Sequence, residues 1–291
     1  MKLLTKFTLL FVLVFGTGLA IAGWFCYRFL QENARDQVLQ QARLMMQAAL
    51  STRIYTVQQI RPLLDTPALR KVRFYPQTVP AYAATENFTS LRQQYPDYTY
   101  KEAALNPTNL RDRAVDWEAD IINNFRNHRD QKELFNERDT PNGRSLFLAR
   151  PIQAPQPCLE CHSTPKAAPP EMIKIYGKAN GFGWQPDEII GAQIVSVPMR
   201  VPLGIAQQAS TNLLLYLGTV ALITLICLDL ALVFLIVRPV SRLSSMADRI
   251  SKGDMDVAEL PVHGKDEISV LAGSFNRMYV SLMKAIRMLE T

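Results

Sequence analysis

Cys158-Leu159-Glu160-Cys161-His162 is the stretch on which the reading of this chain turns. Two thiols three positions apart, followed at once by a histidine, form the attachment pattern of a c-type haem. Each thiol adds across a haem vinyl group, and the imidazole is set to ligate the iron. C-x-x-C alone also suits half a zinc site, a redox dithiol or a disulfide. The chain has four cysteines and three histidines. Cys26 and Cys227 lie in apolar segments, His128 and His263 stand alone, and no second C-x-x-C completes a zinc site. Gln156-Pro157 before the motif and Pro165, Pro169 and Pro170 after it do not resemble a thioredoxin-type turn. The expectation is one covalent haem c on Cys158 and Cys161 with His162 on the iron; the disulfide and dithiol readings stay open. Attachment of this kind requires an extracytoplasmic location.

Outward from the motif, the chain is segregated. Of its 291 residues 48% are hydrophobic and 20% charged, with a formal net charge of +6. The basic excess contains no Lys/Arg tract and is mixed with acids, so it does not indicate nucleic-acid binding. Two apolar segments flank a polar middle. Phe7 to Tyr27 carries no charge and is long enough to cross about 30 Å of hydrocarbon as a helix. Ala20-Ile21-Ala22 resembles a signal-peptide cleavage site, but Trp24, Phe25 and Tyr27 continue the run as an interfacial belt would. Gly16, Ala20 and Gly23, or Gly18 and Ala22, would let a second helix approach closely. Asn212 to Val237 is the second span. Lys2 and Lys6 before the first span, and Arg238, Arg242 and Arg249 after the second, place both ends in the cytoplasm and the motif outside. Asp229 interrupts the second span. It is read either as a polar contact, across a dimer or with a threonine on a neighbouring helix, or as a snorkelling or protonated carboxyl.

Between the spans the pattern is mixed α and β. Gln31 to Leu64 is helical, with Val38, Ala42, Met45, Ala49, Thr52 and Thr56 on one face and Leu39, Met46, Leu50, Arg53, Val57 and Ile60 on the next. Tyr82 to Gln94 and Asp116 to His128 read as helices. Tyr98 to Leu105, Ser145 to Ile152 and Glu188 to Pro198 read as strands.

After the second span, Val240, Leu243, Ala247 and Ile250 repeat at helical spacing up to Gly253-Asp254. Leu260-Pro261-Val262 is extended. Ile268, Leu271, Phe275, Met278, Leu282, Ala285 and Leu289 then form a heptad seam. With Arg238-Pro239, Asp266-Glu267-Ile268 and Phe275-Asn276-x-Met278, this segment resembles a HAMP domain. That resemblance implies a parallel homodimeric four-helix bundle relaying motion from the membrane. No kinase, cyclase or methyl-accepting region follows, so the output partner is expected in trans. His263, in the connector, is read as solvent-exposed and not as a phospho-acceptor.

Residues 31–200 resemble the haem-c-binding, PAS-like extracytoplasmic sensor domains of bacteria and cyanobacteria. The resemblance is carried by Arg53-x-Tyr55-Thr56, Phe74-x-Pro76-x-Thr78-Val79-Pro80-Ala81, Tyr100-Lys101-Glu102-Ala103-x-Leu105-Asn106-Pro107-Thr108-Asn109, Trp117-Glu118, Cys158-Leu159-x-Cys161-His162, and Tyr176-Gly177 through Gly181-x-Gly183-Trp184 to Gly191-Ala192. It implies an α+β, PAS-like sheet with flanking helices and one covalent haem. The expected organisation is a transmembrane helix over 1–30, a sensor domain over 31–210, a second transmembrane helix over 211–237 and a HAMP domain over 238–291. For the sixth iron position the preferred residues are Met46 and Met45; His128, Met172, Met199 or a vacant or water-ligated site are the alternatives. Arg53, which shares a face with Met46, suits a haem propionate. Tyr55, Tyr100, Lys101 and Trp184 are candidate wall or propionate contacts.

The function expected is a two-pass sensor in a bacterial inner membrane. Its haem domain lies in the periplasm or an equivalent lumen and its HAMP domain in the cytoplasm. It responds to redox state or a small gas. A membrane-anchored monohaem electron carrier and a scaffold acting by mixed dimerisation are the competing readings. No activated nucleophile, paired catalytic carboxylates or phosphate-cradling loop argues for an enzyme.

Overall fold

A stripe of small and apolar residues spaced three or four apart, Ala34, Val38, Ala42, Met46 and Ala49, decides how the first helix lies, and all five are buried. The computed structural model of the chain describes residues 3–66, 69, 73–262 and 264–289. Lys2 and His263 lie outside the described residues. The chain divides into two compact units, Tyr27–Ala209 and Met1–Cys26 with Ser210–Thr291.

The helix α1 runs Leu3–Tyr55 and continues through a π-helical turn, Thr56–Ile60, into α2, Arg61–Leu64. The sequence pattern expected one uninterrupted helix; the π turn inserts the buried Thr56, whose hydroxyl donates to Thr52 O at 2.8 Å. Next come α3 (Pro80–Leu91), β1 (Thr99–Ala104), α4 (Asp116–Asn127), β2 (Leu134–Thr140), β3 (Gly143–Gln153), α5 (Leu159–His162), α6 (Pro170–Tyr176) and β4 (Ile189–Pro198). The four strands form one antiparallel sheet in the order β1-β4-β3-β2. Strand β2 and helix α6 were not expected from the sequence. In β2, Asn136-Glu137-Arg138-Asp139 shows no apolar alternation because the strand lies at the sheet edge, half in solvent. Helix α6 begins at Pro170, where proline suits a first turn.

The side-chain period of two sorts the strands onto two cores. Leu146, Leu148, Val195 and Val197 face α1 and α3, meeting Val38, Ala42, Met46, Ala49, Ala84 and Phe88. Phe147, Ala149, Ala192 and Ile194 face α4, meeting Ile121, Ile122 and Phe125. This unit is therefore a sheet covered on both faces by helix. Ion pairs fasten α1 to the β2–β3 side: Arg35 with Glu137 at 2.7 Å and Arg43 with Glu133 at 3.1 Å.

In the other unit, the first part of α1 and the helix α7 (Arg200–Leu232) are long and apolar enough to cross a membrane, and their apolar side chains are almost all exposed, as lipid-facing ones are. Thr8 Oγ1 donates to the Asp229 carboxylate at 3.0 and 3.1 Å, so Asp229 has a threonine on the neighbouring helix. Of the small residues, Gly23 makes a close approach, to Leu214, while Gly16 and Gly18 have open space where a Cβ would go. A second π turn, Val233–Val237, leads into α8 (Arg238–Ser251), and α9 (Glu267–Leu289) follows a connector. Gly253, at φ +87°, ends α8. Asn276 fixes the connector by accepting from Leu260 N at 3.0 Å and donating to Leu260 O at 2.8 Å. Tyr279 donates its hydroxyl to Met255 O at 2.6 Å. The packing within the chain uses Met246, Ile250, Val257, Phe275, Tyr279 and Met283. Of the expected seam, Leu271, Met278 and Leu282 point outward and are exposed.

Candidate functional site

Strand β3 delivers the cysteine pair to the site. Just past its end Ala154 is pinned by two backbone bonds of 2.9 Å, Ala154 N to Glu188 O and Asp187 N to Ala154 O. Pro155 holds the chain extended before a 3-10 turn, Gln156–Cys158, and the single helical turn of α5 follows. Residues three and four apart on such a turn share a face. Cys158, Cys161 and His162 accordingly all line one cavity of about 660 Å³.

The walls are mostly apolar. Leu50, Ile54 and Val57 come from α1 and its π turn, Val79 and Pro80 from the start of α3, and Ile152 and Ile190 from the sheet. The charged lining includes three arginines, each in an ion pair. Arg53 pairs with Glu102, which also accepts from the Tyr100 hydroxyl at 2.7 Å. Arg61 pairs with Asp65 at 3.0 Å, and Arg111 with Glu86 at 2.5 Å. Asp112 also lines the cavity, with Arg111 Nε at 3.7 Å, beyond hydrogen-bond reach. Burial pushes its carboxyl up to about 6, with Arg111 pulling back and Glu102 adding to the rise. Burial likewise pushes the Cys158 thiol up, partly opposed by Arg53 and Arg61. Both arginines line the same cavity as Cys158.

His162 is held in a cradle. Its Nδ1 donates to Gly181 O at 2.7 Å, with Thr108 Oγ1 at 3.3 Å. Its ring stacks on Trp184, centroids 4.0 Å apart and planes 11° from parallel. Burial lowers its pKa, against a smaller opposing effect of the Gly181 bond, which favours the neutral imidazole. With Nδ1 carrying the proton, Nε2 keeps its lone pair for a metal. The loop that supplies Gly181 is tied down by Asn106, which accepts from Gly181 N at 3.0 Å and donates to Phe182 O at 3.3 Å. Gly181 sits at φ +82°, and an added Cβ would strike Thr108, whose Cα would lie 2.8 Å away.

The sequence-predicted residues separate clearly. Cys158, Cys161, His162, Arg53 and Trp184 come together at the cavity. Met46 does not: it is fully buried in the core between α1 and the sheet, with Met45 packed against that core. Helix rotation aims these methionines at strands and away from the cavity. Met199 is in the same core, and His128 lies on the surface at the end of α4, its Nδ1 bonded to Asn124 O at 3.0 Å. Met172, on α6, is the thioether among the lining residues. Tyr55 is exposed on α1, and Lys101 is engaged by Glu118 Oε2 at 2.7 Å and Arg113 O at 2.8 Å; neither lines the cavity. Sequence reasoning missed Thr108, the Gly181 carbonyl, Arg61, Arg111, Asp112 and Glu102. Thr108, Glu102 and Gly181 stood within segments that carried the family resemblance, but nothing distinguished them there.

The residues fit a covalently attached haem. The four cysteines are thiols, two of them at one cavity with an imidazole whose Nε2 is available. Among the described residues no group of three or more His, Cys, Asp or Glu could hold a metal ion by itself.

Comparison with known proteins gives two domain matches. The Tll0287-like family (Tll0287) matches residues 31–198, and the HAMP domain matches residues 231–284. Among solved structures, the cyanobacterial heme-protein Tll0287 is similar at 14% identity, covering 55% of this chain and 94% of that chain, with a TM-score of 0.44. No curated protein matches.

Proposed function

Because the chain belongs to the Tll0287-like family and carries a HAMP domain after it, we propose that it is a membrane-bound haem-c sensor that relays a redox or small-gas signal through HAMP. The observation that carries this reading is the convergence of Cys158, Cys161 and the Nε2 of a cradled His162, whose burial favours the neutral imidazole, on one largely apolar cavity. Cys158 and Cys161 would hold the haem by thioether bonds, His162 would ligate its iron, and Arg53, Arg61 and Arg111 are the basic groups available to its carboxylates. A haem held there would supply an iron able to change oxidation state or take a small gas. The protein's part is to orient the ligand, exclude water with Leu50, Ile54 and Val57, and transmit a change in the cavity. The transmitting element is α1, since it lines the cavity and is continuous with the N-terminal apolar helix. We read the sheet with its helical covers as PAS-like, the two apolar helices as spans of a bacterial inner membrane, the haem domain as periplasmic and the HAMP domain as cytoplasmic. The HAMP domain then works as a homodimer upon an output partner. The role is binding and relay, with no catalysis.

The test is haem staining and absorption of full-length protein made in cells that attach haem c. Wild type should carry one covalent haem that survives denaturation, and Cys158→Ala/Cys161→Ala none; equal staining of both, or none of either, ends the reading. Carbon monoxide or nitric oxide added to the ferrous protein should shift its spectrum if the open side takes a gas. An unchanged spectrum restricts the signal to redox state.

A further inference from the structure

We propose that Trp184 is a positioning residue that fixes the plane of the His162 imidazole, and so the orientation of the axial ligand on the iron. The inference rests on the haem reading for its second half only. A ring held at one atom, here Nδ1 by Gly181 O at 2.7 Å and Thr108 Oγ1 at 3.3 Å, is not fixed in plane by those contacts alone. A flat partner against its face removes this freedom. Trp184 supplies that partner, 4.0 Å away and 11° from parallel. The indole does not hang on an independent element. Gly183 N donates to Ser163 O at 3.1 Å and Trp184 N to His162 O at 3.4 Å, so the Trp184 backbone runs alongside that of the histidine. Asn106 clamps the same loop at Gly181 and Phe182. Histidine, tryptophan and acceptor carbonyl are thus one body, and the ring plane is set before any cofactor arrives.

This differs from an aromatic that merely fills a wall. A wall residue can be replaced by an aliphatic of adequate size with no effect on the histidine. A stacking partner cannot, because the restraint comes from a planar face. The plane of an axial imidazole, relative to the four pyrrole nitrogens, sets the splitting of the iron d orbitals and is read directly in the ferric electron paramagnetic resonance spectrum.

Two readouts on the full-length chain in detergent test the proposal. The first uses the haem-free Cys158→Ala/Cys161→Ala protein with 13C-labelled histidine, in which three histidines give a simple spectrum. The His162 ring protons should lie well upfield of the other two through the indole ring current. Trp184→Phe should keep part of that displacement, and Trp184→Leu should lose it. His162 signals at ordinary positions in the unsubstituted Trp184 background overturn the proposal without reference to any variant's folding. The second compares ferric resonance of the haem-loaded wild type, Trp184→Phe and Trp184→Leu. The Leu variant should show shifted and broadened g-values, and Phe should restore most of the wild-type pattern. Identical spectra in all three overturn the positioning role. If wild type carries no haem, the sensor reading fails while the histidine spectrum still decides the stack.

Discussion

Single atoms set the chemistry of the cavity. The carbonyl of Gly181 chooses the tautomer of His162, and no side chain other than hydrogen is accommodated there. Gly181→Ala meets both a left-handed φ and the body of Thr108, so it should cost at least about 2 kcal/mol. It should also displace the His162 ring, seen as altered haem absorption with a lowered melting temperature. Asp112 gives a pH prediction. Its folded carboxyl titrates near 6, against 3.8 for the free side chain. Between those values the folded state holds a proton that the unfolded chain releases, so stability falls as pH rises through about 4 to 6. Because solvent still reaches and screens this group, the loss stays below the about 3 kcal/mol that the full shift would give. In the haem-free Cys158→Ala/Cys161→Ala background, Asp112→Asn should therefore melt higher than its parent at pH 8, with the difference gone at pH 4. A constant difference across pH would mean that the carboxyl is not raised.

Helix α1 serves two surfaces at once, and its rotation decides which residues serve which. Val38, Ala42, Met46 and Ala49 go to the sheet, while Leu50, Arg53 and Ile54 go to the cavity. The short side chains of the first stripe let the helix lie close over Leu146, Leu148, Val195 and Val197, and Met46 is the large residue filling the gap left. Met46→Ala should thus cost about 3 kcal/mol as a cavity mutation. Met46→Leu should cost under about 1.5 kcal/mol, and neither should alter the ferrous absorption spectrum. Met172→Leu on α6 is the informative counterpart, because Met172 is the lining thioether: a changed ferrous spectrum in that variant would identify it as an iron ligand.

Across the molecule, the HAMP unit keeps two apolar faces for two purposes. One closes the chain on itself through Met246, Ile250, Phe275, Tyr279 and Met283. The other, with Leu271, Met278 and Leu282, is exposed, at 56% for Met278. These three seam residues, left outward while Phe275 turns inward, are the ones a parallel partner helix would cover. Met278→Cys should form an intermolecular disulfide in membranes under mild oxidation, giving a dimer on a non-reducing gel. A substitution off the seam such as Lys284→Cys should form much less. Equal cross-linking at both positions would count against a defined seam.

Local chemistry is legible where it is written in adjacent residues: five consecutive positions carry the pattern from which haem attachment is proposed, and periods of two and of three to four mark strands and helices. Asp229 was legible as an anomaly because a charge in an apolar run is visible without coordinates, but its partner Thr8 lies 221 positions away. What crosses the cavity from His162 was not legible. One residue along a helix turns the side chain by about 100°, so Met45, Met46 and Arg53 could be told apart only once α1 was seated on its sheet. Strand β2 escaped because an edge strand half in water needs no apolar alternation. The Gly181 carbonyl escaped because a backbone acceptor leaves no trace in side-chain identity. By itself the sequence determined which groups can bind and which segments can fold or cross a membrane, since both follow from short-range pattern. Only the tertiary structure decided which of those groups face one another, because that depends on contacts between residues far apart in the chain.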